Sequence, residues 1–324
     1  MDATVLHERA VVIDAHSDIL CDVRVRRRAG ETAVLSRRHL ARLRAGGVDA
    51  VVFAVYLTPY QPESALREAF LMVDDLREEV AASADELLLI QAAEDLEPTR
   101  MKGRLGALLS LEGAEPLGMD VAILRLLHAL GLRALGLTWN RRTMVADGIG
   151  EADGGGLTRF GRTVVRECER LGILIDVSHL AERGFWDVVG MANGPIIASH
   201  SNARALCDHR RNLTDEQLRA IAACGGVVGL NACADFVAAT EPNLDRLLDH
   251  AEHMASVMGH EHVGLGLDLL EYLPGYEHAR LPELDDAAAM PDITARLLAR
   301  NISVPAIEAL LGGNWLRLWR RVLR

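Results

Sequence analysis

Six side chains able to bind a metal or move a proton recur at comparable places along the 324-residue chain. AVVIDAHSD sets His16 and Asp18 just past a short apolar run, and LLSLEGAE sets Glu112 at the end of another. ILIDVSHL places His179, PIIASHSN places His200, and GLGLDL ends in Asp268. His16 and Asp18 are two positions apart, so extended backbone points both the same way. Three imidazoles and three carboxylates offer nitrogen and oxygen donors for one or two divalent metals, and suit zinc. The placement is selective: the rest of the 12 histidines (His7, His39, His128, His209, His250, His253, His260, His262 and His278) fall in helices, strand starts or loops. A lone histidine at a strand end is more often a hydrogen-bonded structural residue than a ligand, so the joint placement carries the metal reading.

Such residues need elements that bring them together. Runs rich in Val, Ile and Leu predict strands at about 10–15, 48–56, 105–111, 133–138, 172–177, 195–199, 226–231 and 262–267. Helical spacing predicts helices at about 36–45, 63–81, 119–130, 158–171, 180–190, 214–223, 243–258 and 291–300. The strand runs are nearly continuously apolar, as parallel strands buried on both faces are. Eight strands alternating with helices favour a (β/α)8 TIM barrel, an α/β fold whose carboxyl-terminal strand ends converge on one mouth. No repeat or low-complexity linker divides the chain, so 1–324 is expected to be a single catalytic barrel domain. Segments 150–158 and 268–290 read as loops over the mouth. The tail GGNWLRLWRRVLR reads as a helix at about 313–323 packing on the barrel exterior.

Composition narrows the chemistry. With 50% hydrophobic and 25% charged residues a packed core is expected, and a net charge of −11 disfavours nucleic acid and anionic membrane as partners. The first residues lack the basic region of a signal peptide, and no stretch approaches the ~18 apolar residues of a membrane span. Five cysteines without a CxxC read as reduced thiols, so a cytoplasmic location is expected. The run Arg24, Arg26, Arg27, Arg28 reads as solvated surface or an interface edge, and the stretch DDLREEV as a solvent-facing helix. No GxSxG offers a serine nucleophile, and the glycines of GEADGGGLT do not follow a strand as a dinucleotide site requires. Lys102 is the only lysine. Lysine-centred chemistry, including a lysine-derived metal bridge, would have to use that one residue.

The segments DAHSD, SLEGAE, LTWN, DVSH, SHSNARAL, RNLTDEQL, VGLGLD and GGNWLR occur in an order that resembles the renal or membrane dipeptidase family (peptidase family M19), over nearly the whole chain. The resemblance implies a barrel of the metal-dependent amidohydrolase superfamily with two Zn2+ per chain. His16, Asp18 and Glu112 would bind one ion and Glu112, His179 and His200 the other, with Glu112 bridging. Two cations would ionise a shared water near neutral pH, giving a metal-bridged hydroxide, and polarise the scissile carbonyl. Asp268 would take the nucleophile's proton and return it to the leaving amine. Arg211, rather than neighbouring Arg210, matches the arginine that holds the substrate's terminal carboxylate, and Tyr56 resembles a pocket tyrosine.

Two departures stand out. At LTWN, Trp139 occupies the place of a family histidine, so that the Trp139 N–H or Asn140 must contact the substrate instead, or the substrate differs. Leu269, Leu270 and Glu271 also depart from the pattern after Asp268. The expected activity is a zinc-dependent dipeptidase acting on small dipeptides, with a D-residue accepted at the carboxyl-terminal side. The alternatives are a related amidohydrolase acting on N-acyl amino acids or other small amides, and a non-catalytic binding barrel, of which lost ligands would be the sign. A homodimer is common in the family. Since Lys102 precedes the third predicted strand rather than ending one, the metal bridge falls to an ordinary carboxylate, and Glu112 at that strand's far end is placed to supply it.

Overall fold

The apolar runs do form one sheet. A computed structural model describes residues 2–57, 62–96 and 103–323. Its strands are β1 (Ile13–Ser17), β2 (Ala50–Tyr56), β3 (Leu87–Leu89), β4 (Leu105–Glu112), β5 (Leu132–Gly136), β6 (Leu174–Asp176), β7 (Ile196–Ile197), β8 (Val228–Leu230) and β9 (Val263–Leu265). All pair in parallel in the order β7-β6-β5-β4-β2-β1-β9-β8, and a parallel bridge from Ala198 to Val228 joins β7 to β8. The result is a nearly closed barrel of eight parallel strands wrapped by helices. The short β3 lies off that path, pairing only with the start of β4; its three residues gave too brief an apolar run to be read as a strand.

Alternation assigns the two faces of each strand. On β2, Val51, Phe53 and Val55 pack outward on the helices, whereas Ala50 and Val52 join the inner cluster with Ile13, Ala15, Leu108, Ala134, Leu174 and Ile197. The surrounding helices fall close to the predicted spans, for example Arg159–Leu171, Asp215–Ala223 and Leu244–Met258. Their ends follow local chemistry. Thr158 caps one helix, which stops at Gly172 in left-handed backbone, and Thr214 with Gln217 forms a capping box on another.

Four helices escape the sequence reading, Ala3–Arg9, Ile19–Arg28, Ala234–Val237 and Val304–Glu308. The second contains the arginine run that was expected to be solvated surface or an interface edge. It is instead half of an ion-pair seam: Arg24 and Arg27 reach Asp75, and Arg27 also reaches Glu79, at 2.8–3.1 Å. Asp75 and Glu79 belong to DDLREEV and are buried, since the i,i+4 spacing puts them on the face turned to the arginine helix. Glu79 also accepts the Leu35 backbone N–H at 2.9 Å.

The carboxyl-terminal helix, Asn314–Val322, corrects a second expectation. Trp315, Leu318 and Trp319 are buried in the cluster of inward-facing strand residues, so the helix plugs the barrel's interior at the end opposite the mouth instead of lying on its exterior. Trp315 Nε1 donates to the Leu265 carbonyl at 2.9 Å, and a methyl group on Gly264 would overlap its indole. The expected outcome of Trp315→Ala is a loss of about 3–5 kcal/mol in unfolding free energy, read from the midpoint of a urea titration, because the cavity it leaves cannot collapse inside a closed sheet.

Candidate functional site

The six residues singled out in the sequence meet at the carboxyl-terminal mouth of the barrel. Glu112 is the last residue of β4 and stands in register with Tyr56 of β2 and Gly136 of β5. His16 lies near the end of β1. Asp18 is already past the strand, as the residue preceding the helix Ile19–Arg28, so the pair does not share extended backbone as expected. They converge nonetheless, with His16 Nε2 3.7 Å from Asp18 Oδ1, 3.6 Å from Glu112 Oε2 and 3.8 Å from Asp268 Oδ1. The other Glu112 oxygen faces two imidazoles, His179 Nε2 at 3.0 Å and His200 Nε2 at 3.7 Å. The two imidazoles approach each other to 2.9 Å between Nε2 atoms.

Close backbone packing permits this crowding. The Ser199 carbonyl enters the barrel where a methyl group on either Gly229 or Gly266 would overlap it, so glycine in VVGLN and GLGLD admits the strand end that carries His200. His179 and Asp268 both adopt left-handed backbone, with φ of 65° and 53°. Non-glycine residues rarely do so, and such strain clusters at functional sites.

Residues that the sequence reading passed over hold the six in place. Asp14, the first acid of DAHSD, accepts the backbone N–H of Leu267 at 2.8 Å and of His16 at 3.3 Å, tying β1 to the segment after β9. Burial pushes its carboxyl up to about 7. Asp176, the acid of DVSH, accepts the N–H groups of Ser178 and Ser199 at 2.9 and 3.0 Å, and the Ser199 hydroxyl. Asn202 and Asn231 bond reciprocally, and Asn231 Nδ2 donates to Asp268 Oδ2 at 3.1 Å. One signal was available: both acids sit two or three residues before a site histidine, at a strand end.

Electrostatically the site is a set of groups for which burial outweighs mutual help. Burial, then Asp18 and Asp268, raises Glu112 well above the usual carboxylate range; burial and Asp268 do the same to Asp18. Burial holds His179 and His200 well below the ordinary imidazole value, with Arg211 and His16 adding to it. Three atoms, His16 Nε2, Asp18 Oδ1 and Glu112 Oε2, are buried without a hydrogen-bond partner. Native interiors rarely leave such atoms unpaired, and a divalent cation would satisfy all of them at once. Ligand-type atoms of His16, Glu112 and His200, and of His16, Asp18 and Asp268, each lie within 4.8 Å of one another.

The substrate-facing residues fall differently. A cavity of about 190 Å³ opens on Asp18, Glu112, His179 and Asp268, walled by Tyr56, Trp139, Cys233, Phe236, Leu270 and Leu273. Tyr56 and Trp139 lie with rings 5.5 Å apart, and Trp139 stands 5.9 Å from the His179 ring. Asn140 also borders the cavity, but its Oδ1 is 2.7 Å from His179 Nδ1, an attachment to the histidine that LTWN did not reveal. Arg211 is buried, whereas Arg210 is exposed and donates to the Glu151 carbonyl. The Arg211 guanidinium donates to the His200 carbonyl at 3.0 Å and Ser201 Oγ at 3.3 Å, and stacks over Phe236. Its Nε is buried without a partner, and among the described residues no carboxylate forms an ion pair with it. It borders a cleft of about 20 Å³ shared with His179 and Ser201.

The two loops expected over the mouth part company. Segment 268–290 supplies Leu270, Leu273 and Tyr276 to the cavity wall. The glycine-rich loop instead lines a neighbouring cleft of about 640 Å³ beside Glu182 and Trp186, with Gly155 N–H held by Asp147 at 2.6 Å. That cleft is the larger of the two but holds none of the six. Lys102 lies outside the described residues. Among the described residues no helix is long and apolar enough to cross a membrane.

Comparison with known proteins agrees with this architecture. The family model for membrane dipeptidase (peptidase family M19) matches residues 1–324. An uncharacterized dipeptidase of Schizosaccharomyces pombe is 30% identical over 97% of this chain and 81% of its own length. An uncharacterized protein from the pqqA 5′ region of Klebsiella pneumoniae is 36% identical over 76% of this chain and 93% of its own. Among solved structures, a metallo peptidase from Rhodobacter sphaeroides, liganded with a phosphinate mimic of the dipeptide L-Ala-D-Ala, superposes with a TM-score of 0.88 at 29% identity, covering 97% of this chain and 99% of that one. Matched from end to end and built on the same barrel, the chain belongs to the membrane dipeptidase family, peptidase family M19, and is a metal-dependent hydrolase of peptide bonds.

Proposed function

We propose that the protein is a zinc dipeptidase with two ions per chain, one held by His16, Asp18 and Glu112, the other by Glu112, His179 and His200, with Glu112 shared. The observation that carries this is the set of orphaned buried atoms on His16, Asp18 and Glu112, with His16 Nε2 less than 4 Å from both carboxylate oxygens. The mixed imidazole and carboxylate donors suit zinc. When bound, such ions ionise water near neutral pH and polarise a carbonyl.

The chain's own residues supply the rest. Asn231 occupies Asp268 Oδ2, which leaves Oδ1 turned toward His16 and the cavity, where it can accept a proton from the attacking water and pass it to the leaving amine. Arg211, a buried cation with an unpartnered Nε and no ion pair among the described residues, is suited to hold a free carboxylate. The Rhodobacter sphaeroides relative's L-Ala-D-Ala mimic supports a small dipeptide with a D-residue at its carboxyl-terminal side as substrate. A single catalytic unit working in the cytoplasm, without nucleic acid or membrane and as a homodimer, completes the reading.

Metal analysis is expected to find close to two zinc ions per chain; one or none, with no activity restored by added zinc, contradicts the assignment. Asp268→Asn is expected to keep both ions while kcat falls by about 10²–10⁴-fold, whereas His179→Ala should lose metal as well.

Arg211→Ala is expected to raise KM more than it lowers kcat, and to erase the preference for dipeptides over their carboxyl-terminal amides. A variant that still discriminates between them removes Arg211 from carboxylate binding.

Trp139 at the cavity wall, in place of a residue able to accept a proton, favours a second reading, hydrolysis of N-acyl amino acids. A library of dipeptides and N-acyl amino acids in both L and D forms separates the two; turnover confined to N-acyl amino acids would replace the dipeptidase reading.

A further inference from the structure

We propose that Asp176 and Ser199 are positioning residues that fix the His200 ring as the Nδ1–H tautomer, so that its Nε2 presents a lone pair to the site. The proposal rests on the reading of His200 as a metal ligand for its purpose, but on hydrogen-bond accounting for its content. Asp176 Oδ1 accepts two backbone N–H groups, from Ser178 at 2.9 Å and Ser199 at 3.0 Å. Its Oδ2 faces the Ser199 hydroxyl, and a carboxylate can only accept. Ser199 has one hydroxyl proton and donates it to Asp176, so toward His200 Nδ1, 2.7 Å away, the oxygen must act as acceptor. Nδ1 therefore carries the ring proton. Nε2 is left bare, 2.9 Å from His179 Nε2 and 3.7 Å from Glu112 Oε1. Outer hydrogen bonds that fix the tautomer of a ligating histidine in this way commonly set metal affinity.

The relay has a directional consequence that simple loss of packing does not. In Asp176→Asn the two backbone donors require the amide oxygen at the Oδ1 position, which turns the amide N–H2 toward Ser199. Ser199 then accepts from the amide and sends its own proton to His200 Nδ1, enforcing the wrong tautomer, with Nε2 protonated. Ser199→Ala removes the relay without enforcing either tautomer. Adding Ser199→Ala to Asp176→Asn removes the group that imposes the error.

The test measures zinc dissociation constants by chelator competition on the full-length chain, together with ¹⁵N spectra of histidine-labelled protein with and without zinc, the His200 signals identified by their loss in His200→Gln. The expected result is Nδ1–H in the parent and Nε2–H in zinc-free Asp176→Asn, with affinity weakened about 100-fold in that variant and about 10-fold in Ser199→Ala. The double variant should bind zinc as Ser199→Ala does, better than Asp176→Asn alone. A double variant as weak as Asp176→Asn, or a parent ring protonated at Nε2, overturns the proposal. If Asp176→Asn does not fold, the parent spectrum still decides. Failure of the metal reading is separately visible, as a parent chain that binds no zinc while its His200 remains Nδ1–H.

Discussion

Glu112 has to satisfy two directions at once, and the mouth of the barrel is organised around that demand. One oxygen faces His179 and His200 and the other faces His16. A buried carboxylate set among imidazoles and other acids is costly, and the raised proton affinity of Glu112 expresses that cost, which Arg211 opposes only in part. Its position is correspondingly rigid. β4 is the longest strand, pairs with β2 residue for residue from Ala50–Gly106 to Tyr56–Glu112, and also carries β3 and β5. No other site residue ends so heavily paired an element, which makes Glu112 the fixed point to which the more loosely built strand ends are fitted.

Those other ends are fitted by side chains. Beyond Ile197 and Leu265 the regular ladder is interrupted: Ala198 and Gly266 N–H still reach the carbonyls of Val227 and Leu230, but the donors after them turn to carboxylates, Ser199 N–H to Asp176 and Leu267 N–H to Asp14. Asn231 N–H turns likewise to Asn202. Each substitution frees the chain from regular strand geometry while leaving no buried donor unpaired. That freedom brings His200 inward and lets His179 and Asp268 take left-handed backbone, at about 1–3 kcal/mol each. The strain persists because neighbouring bonds over-determine it: Asp268 is held by Asn231, and His179 by Asn140.

The same exchange explains what the sequence could and could not disclose. The eight barrel strands were legible as apolar runs, and the six site residues as polar residues closing them. The predicted strands 195–199, 226–231 and 262–267 nevertheless overran the observed Ile196–Ile197, Val228–Leu230 and Val263–Leu265. Residues such as Ser199, Asn231 and Leu267 look strand-like by composition but bond to side chains far away in sequence, and periodicity carries no record of such partners. The arginine run failed for a related reason. Ile19, Leu20 and Val23 supply the buried face of its helix, yet Arg24 and Arg27 find Asp75 and Glu79 some fifty residues on, and only the fold reveals that opposite charges face one another. Asn140 was legible as part of LTWN but not as a partner of His179.

The barrel's two ends make one electrostatic argument. Going up the inner face of β4, Leu108 lies in the apolar cluster sealed by Trp315, Leu318 and Trp319, Ser110 follows, and Glu112 reaches the mouth. The plug fills the lower end with apolar side chains, so the groups at the upper end sit above a weakly polarisable floor. In such a place neither a carboxylate nor an imidazolium is favoured on its own, which is the direction of every shift at Glu112, Asp18, His179 and His200. A cation reverses each of those preferences together, since it favours the ionised acid and the neutral imidazole alike. The helix at the far end of the chain thus bears on the chemistry without touching it: by filling the interior with apolar side chains it adds to the burial that shifts Glu112 and its neighbours.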